Sequence, residues 1–265
     1  MSDQRLDMPD ARPTVSIVVP AFNEAGNVAV LYRRIADVLA SSWQWELILI
    51  DDGSADDTFE RIQDLARQDP RVIGLSLARN FGHQYALLAG LDVARGEAII
   101  SMDADLQHPP ELLPELLRHW QDGANVVMTE RLPAGQLPWW KVWTSNQFYR
   151  LFSALTGVRM EAGDSDFRLL DAEVLDRLRQ VDRTHLFMRG LVRWAGYHAA
   201  RVPYSVAQRH SGRSSYSLGR MMRLGVTGIT AFSSAPLRAG IGLGVFTAAL
   251  AAMEFAYALW TKMTG

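Results

Sequence analysis

Three observations predict an α/β fold built on a mostly parallel, doubly wound sheet. Short, β-branched apolar runs alternate with helical segments between residues 14 and 130. The runs are almost continuously apolar, as strands are when both sheet faces are covered. Each run ends in a polar cluster, and the carboxyl edge of an open α/β sheet is where ligands bind.

In chain order, "TVSIVVPA" predicts the first strand and "NEAGNVAVLYRRIADVLASS" has helical periodicity. "WELILID" predicts the second strand, and "ADDTFERIQDLARQ" a helix with an Asp-rich first turn in which Asp56 is a candidate cap. "VIGLSLA", "EAIISMD" and "ANVVMTE" predict strands three to five, separated by helices over "HQYALLAGLDVA" and "PPELLPELLRHWQ". Pro109 or Pro110 opens the latter helix, where proline is best tolerated. The polar clusters after the five strands are Pro20-Ala-Phe-Asn-Glu24, Asp51-Asp-Gly-Ser54, Arg79-Asn-Phe-Gly-His-Gln84, Asp103-Ala-Asp105 and Glu130-Arg131.

The rest of the chain differs. Residues 1–13 are polar, lack an apolar signal-peptide core and are expected to form a flexible tail. "LPWWKVWTSNQFYRLFSALTG" places Trp139, Trp140, Trp143, Phe148 and Phe152 among Lys141 and Arg150, which suits either an interfacial amphipathic helix or a core helix. The net charge of −2 conceals an asymmetry: residues 1–182 carry 28 acidic against 17 basic side chains, and residues 183–265 carry ten basic against one acid, Glu254. A basic, acid-free segment points to a phosphate-rich partner. The 22 residues from Ala239 to Trp260 hold a single charge. As a helix they reach ~33 Å, about the thickness of a bilayer core. Arg220, Arg223 and Arg238 precede the span and only Lys262 follows, so the bulk of the protein is expected on the cytoplasmic side of a membrane. That placement also argues against nucleic acid as the partner of the basic segment. Gly240-x-x-x-Gly244 and the intramembrane Glu254 point to helix–helix contact, including a homo-oligomer.

Several chemistries are unsupported. There is no cysteine, so disulfides and thiolate metal sites are excluded. No dinucleotide or P-loop glycine motif is present, no nucleophile elbow, and no H-E-x-x-H; the six histidines read as structural or surface residues. What remains is carboxylate chemistry. Asp103 and Asp105 follow a buried strand, and two converging carboxylates either share a proton or hold a cation. With Gln107 they form an all-oxygen set that suits Mg²⁺ or Mn²⁺ completed by substrate phosphates. At Asp51-Asp52-Gly53-Ser54, a turn glycine and caps are the plain reading, but two aspartates exceed what capping needs and can accept from a base N–H or a ribose hydroxyl.

Taken together, Pro20-x-Phe-Asn-Glu24, Asp51-Asp-Gly-Ser54, Asp103-Ala-Asp-Leu-Gln-His-Pro-Pro-Glu111 and Asp166-Phe-Arg-Leu-Leu170 resemble the family 2 glycosyltransferases of GT-A fold. The similarity is strongest to the polyprenyl-phosphate branch, the dolichol-phosphate mannose synthases and bacterial GtrB-type undecaprenyl-phosphate glucosyltransferases, and runs from about Thr14 through the apolar segment. The resemblance implies a catalytic GT-A domain over residues 14–208, a basic lid and membrane-interface segment over 209–238, and a transmembrane helix over 239–260. It implies that Pro20, Phe22, Glu24, Asp51 and Asp52 hold the nucleoside. Asp103, Asp105 and Gln107 would hold the metal on the diphosphate, and Arg131 would contact phosphate. Asp166 would lie near the sugar, while Arg209, Arg213 and Ser214 would belong to a lid over donor and acceptor phosphates. Two positions depart from the family pattern: Ser165 stands where many relatives have glycine, and Ser215 where the lid usually has lysine.

The expected reaction is inverting transfer of a hexose from a nucleotide sugar, UDP-glucose before GDP-mannose, to a polyprenyl phosphate. An acceptor phosphate is largely dianionic at neutral pH, its second pKa being about 6, so it needs positioning more than deprotonation. Asp166 is therefore expected to orient sugar or acceptor, with base catalysis second. A polysaccharide acceptor is disfavoured, because Q-x-x-R-W is absent around Arg193-Trp194. A non-catalytic membrane adaptor is disfavoured by the intact D-x-D.

Overall fold

The computed structural model describes residues 14–40, 42–132, 164–181, 190–192, 196–205 and 235–264, with three further single positions, 147, 150 and 153. The N-terminal tail, most of the aromatic segment, and the lid with Arg209, Arg213 and Ser214 lie outside the described residues.

The predicted alternation is realised from β1 (Val15–Ala21) through α1 (Ala25–Leu39), β2 (Trp45–Asp51), α2 (Thr58–Gln68), β3 (Val72–Ser76), α3 (His83–Val93), β4 (Ala98–Ser101), α4 (Leu113–Gln121) and β5 (Val126–Leu132). Pro110 opens a 3₁₀ turn, Pro110–Leu112, that leads into α4. β6 (Asp164–Asp171), α5 (Ala172–Arg179), β7 (Ala199–Ser205) and α6 (Ala235–Thr264) follow.

Five strands are predicted; the sheet has seven, in the order β3-β2-β1-β4-β6-β5-β7. β1 to β4 are parallel to one another. β6 enters between β4 and β5, antiparallel to both, and β7 closes the sheet parallel to β5. β5 extends through Leu132 because its pairing with β7 continues to Leu132–Ser205. Glu130 and Arg131 thus lie within the strand rather than beyond it.

Strand alternation feeds two cores. Val15, Ile17, Val19, Leu47 and Leu49 pack with Leu31, Ile35, Ile62, Leu116 and Leu117 of α1, α2 and α4. Val18, Ile48, Ile50 and Ile99 pack on the opposite face with Ala86, Leu87 and Leu91 of α3 and Val174, Leu175 and Leu178 of α5. Near-total burial of β1 and β2 explains their unbroken apolar sequence.

A polar cluster ties down α1, β2 and the turn into β3. The Tyr32 hydroxyl donates to Asp69 at 2.8 Å, the Arg71 amide and guanidinium donate to the same carboxylate, and the guanidinium lies 4.0 Å over the Trp45 ring. Burial pushes the Asp69 carboxyl up, but the Arg71 and Tyr32 hydrogen bonds outweigh it and hold the pKa at about 2. A carboxylate depressed in the folded state stabilises above its unfolded pKa, ~3.8, and loses that contribution as pH falls towards 2. Asp69→Asn is therefore expected to cost about 2 kcal/mol at neutral pH. In paired urea titrations the deficit stays constant down to about pH 5 and shrinks between about pH 4 and 2.

α6 runs four residues beyond the predicted span at each end. Its segment Gly240–Thr264 has a mean hydropathy of 1.6 and no part of it is buried against the rest of the protein. Leu237, Ile241, Leu243, Val245, Phe246, Met253, Phe255 and Trp260 are all exposed. A helix this long and apolar, with no covering element among the described residues, matches a bilayer span.

Candidate active site

A cleft of about 520 Å³ opens at the carboxyl edge of the sheet, lined by Pro20, Ala21, Phe22, Asp52, Asn80, Gly82 and His83. Its floor is the end of β1, and Phe22 projects half-exposed into it. The loops around it are tied to one another. The Asn23 amide donates to the Ser54 hydroxyl (2.9 Å) and the Ala55 amide to Asn23 Oδ1 (2.9 Å); Asn23 takes a left-handed φ of 57°. The Glu24 amide donates to Thr58 Oγ1 at 2.8 Å. Asp56 accepts from the Thr58 amide and from the Ala25 amide at the start of α1. The N-cap position of α2 is Asp57 rather than the predicted Asp56; Asp56, one residue earlier, instead joins the starts of α1 and α2. Burial pushes the Asp56 carboxyl up, and these bonds, with one from the Thr58 hydroxyl, bring it below its ordinary value.

Asp51 and Asp52 are both buried and differ in orientation. Asp51 accepts from the Ser54 amide (3.1 Å) and the Ser76 hydroxyl (3.4 Å). Asp52 lines the cleft, and its two oxygens accept from the Phe81 and Gly82 amides at 2.8 and 2.9 Å. It therefore fastens the loop that forms one wall. Glu24 accepts from the Asn27 side chain at 2.5 Å, at the start of α1. Gly53, with φ of 68°, lies so near that loop that a Cβ would fall 2.4 Å from the Arg79 carbonyl carbon.

β4 delivers Asp103 to the same edge. The Asp105 carboxylate accepts from the Gln107 amide at 3.1 Å, and Leu106 at φ 62° completes the reversal. Because β6 runs antiparallel to β4, its beginning reaches the edge where β4 ends. That reversal brings Asp166 to Asp103 across more than sixty residues of sequence, and the Ser101 hydroxyl donates to the Asp166 carbonyl at 2.6 Å. Asp166 and Arg168 form an ion pair at 2.6 Å with both side chains almost fully buried. On the far side, Arg131 is in register with Tyr204 across β5 and β7. Burial raises the Tyr204 pKa, the Ser165 hydrogen bond and Arg131 oppose this, and Asp103 and Asp105 add to it. Those influences bring the predicted residues of β4 and β5 into one electrostatic neighbourhood.

Two histidines assigned from sequence to surface or scaffold prove to flank Asp103. His83, at the first position of α3, has Nε2 3.5 Å from Asp103 Oδ1 and 3.7 Å from Asp166 Oδ2. His108 approaches from the α4 side: its Nδ1 accepts from the Asp103 amide at 2.9 Å, and its Nε2 lies 3.7 Å from Asp103 Oδ2. No spacing motif marks them. The available signal was position, since each stands in the first polar stretch after a strand.

Asp103 Oδ1 is buried and makes no hydrogen bond, its nearest ring nitrogen, His83 Nε2, lying 3.5 Å away, an arrangement that is costly for a carboxylate unless a cation or donor meets it. Among the described residues, no group of three or more His, Cys, Asp or Glu side chains is arranged as a complete metal site. A divalent ion there would need oxygens of a ligand to complete its shell, as Mg²⁺ commonly does.

The description "Glycosyl transferase family 2" matches residues 16–179. Bactoprenol glucosyl transferase of Shigella phage SfV is 37% identical over 247 residues, covering 93% of this chain and 80% of that protein. Among solved structures, the mannosyltransferase PcManGT from Pyrobaculum calidifontis, in complex with GDP-Man and Mn²⁺, superposes with a TM-score of 0.56 at 21% identity, over 82% of this chain and 62% of the other. Glucosyl-3-phosphoglycerate synthase from Mycobacterium tuberculosis, with Mn²⁺, UDP-glucose and phosphoglyceric acid, gives a TM-score of 0.51 at 19% identity, over 80% and 76%. These structures share the GT-A sheet and its helical layers.

Proposed function

Because the chain belongs to glycosyl transferase family 2, we propose that it transfers a hexose, with inversion, from a nucleotide sugar to a polyprenyl phosphate at the cytoplasmic face of a membrane. The observation that carries this reading is the meeting of Asp103 and Asp166 at His83, a residue that lines a cleft of about 520 Å³ at the carboxyl edge of the sheet. UDP-glucose is the favoured donor and GDP-mannose the next. Support comes from the bactoprenol glucosyl transferases among the relatives and the UDP-glucose and GDP-Man complexes among the structural neighbours.

In this reading Phe22 stacks on the nucleobase, with Pro20, Glu24, Asp51 and Asp52 shaping the nucleoside pocket. Asp52 acts mainly by holding the loop at Phe81 and Gly82. Asp103 and Asp105, with Gln107, hold Mg²⁺ or Mn²⁺. When bound, that ion offsets charge developing on the departing diphosphate. Arg131 faces the same anion, and Arg209, Arg213 and Ser214 hold the acceptor phosphate. The Arg168 guanidinium holds the Asp166 carboxylate at 2.6 Å and fixes its direction at the sheet edge. Orientation of sugar or acceptor is its role here. α6 anchors the site at the surface where a polyprenyl phosphate presents its headgroup.

The test is incubation of the purified protein in detergent with undecaprenyl phosphate, Mg²⁺ or Mn²⁺ and a panel of nucleotide sugars. A glucolipid from UDP-glucose is the expected product. Absence of any glycolipid with every donor overturns the reading.

A further inference from the structure

We infer that His108, tethered through its Nε2 to Ser165, is a positioning residue that fixes Asp103 for cation binding; this rests on the metal role proposed above. The ring is buried on the α4 side of the sheet. It stacks on Phe167 at a centroid distance of 5.2 Å and meets Tyr204 edge-on at 6.0 Å. Both ring nitrogens are engaged. Nδ1 accepts from the Asp103 amide at 2.9 Å, so the neutral ring carries its proton on Nε2, and Nε2 lies 3.0 Å from Ser165 Oγ.

Ser165 is an organising point in its own right. Its hydroxyl accepts from the Phe167 amide at 3.1 Å and lies 3.2 Å from the Tyr204 hydroxyl. Side chains from β6 and β7 therefore set the tilt of a ring that grips the metal loop. A glycine at position 165 has no hydroxyl to offer, which gives this departure from the family pattern a defined physical effect. His108 bonds the backbone of Asp103 rather than its carboxylate, so it sets the direction in which Oδ1 points. Groups that orient a metal ligand typically change metal affinity 10- to 100-fold when removed.

Three variants test this, read out by Mn²⁺ titration monitored by electron paramagnetic resonance in the presence of UDP. His108→Phe keeps the stacking and removes the acceptor; it is expected to weaken Mn²⁺ binding roughly tenfold or more. His108→Asn places an acceptor at the δ position and is expected to stay within about threefold of wild type, since one neutral hydrogen bond is retained. Ser165→Ala keeps the backbone and releases Nε2. It is expected to weaken binding several-fold and to shift the Nε2 resonance in spectra of ¹⁵N-histidine-labelled protein, while the ring stays Nε2–H. If His108→Phe does not fold, Ser165→Ala decides alone. Unchanged Mn²⁺ affinity in Ser165→Ala and His108→Phe overturns the inference while leaving the metal reading intact. Absence of Mn²⁺ binding by the wild type overturns both.

Discussion

Asp103→Asn and Asp105→Asn are each expected to lower glycolipid formation by roughly 10³-fold, the order seen when one preorganised electrostatic contact is removed from a transition state. The same substitutions are expected to leave the thermal midpoint unchanged or raise it. Asp103 Oδ1 has no hydrogen bond to lose, and removing one of two neighbouring carboxylates relieves repulsion without opening a cavity. Measuring radiolabelled sugar transfer and the melting temperature on the same preparations separates this from a structural role. Loss of activity together with a large fall in melting temperature would show that the aspartates hold the loop. Unchanged transfer would remove the metal from the mechanism.

The largest expected effect on stability belongs to Gly53. A side chain there meets two obstacles at once. The left-handed φ of 68° is strained for any residue with a Cβ, by roughly 1–2 kcal/mol. The methyl would also fall 2.4 Å from the Arg79 carbonyl carbon and 2.7 Å from the Asn80 nitrogen, both backbone atoms that move only with their loop. Gly53→Ala is expected to cost more than about 4 kcal/mol, the range reserved for a few severe mechanisms. Gly82 is the internal control: its φ is 101° but no atom lies within 4 Å of an added Cβ. Gly82→Ala therefore reports strain alone, at a backbone conformation (φ 101°, ψ 151°) open essentially to glycine, so a greater loss in Gly53→Ala reports the close approach. A cost at Gly53 of only about 1–2 kcal/mol would mean that the contact between the two loops is soft.

Much of this arrangement was legible in the sequence. Strands β1, β2 and β4 are covered on both faces, and continuous apolar runs announce that condition. The polar clusters after them lie along the sheet edge where the cleft opens. β6 escaped because Ser165, Asp166 and Arg168 in its first half are polar yet buried. Asp166 is neutralised by Arg168, and Ser165 is satisfied by Phe167, His108 and Tyr204. Pairing of that kind is invisible to a hydropathy pattern. β7 escaped because it alternates between exposed and buried positions at the sheet margin, a weak signal over seven residues. The two histidines beside Asp103 were hidden for a related reason. A residue that bonds a backbone amide across a turn leaves no spacing rule to find.

Insertion of β6 between β4 and β5 also governs when the protein can become itself. β5 is complete at Leu132, whereas the strand that must lie beside it ends at Asp171. At a synthesis rate of about 5–20 residues per second, a nascent chain spends seconds with β4 and β5 both made and nothing to join them. Throughout that interval the apolar margin of β4 is open to other chains, and the loop carrying Asp103 lacks Ser165, Tyr204 and Asp166 behind it. Early products of translation thus hold the cleft in outline without the means to orient its acidic residues. Competence arrives late, with β6, which turns the sheet back on itself, and then β7, before the apolar α6 is made.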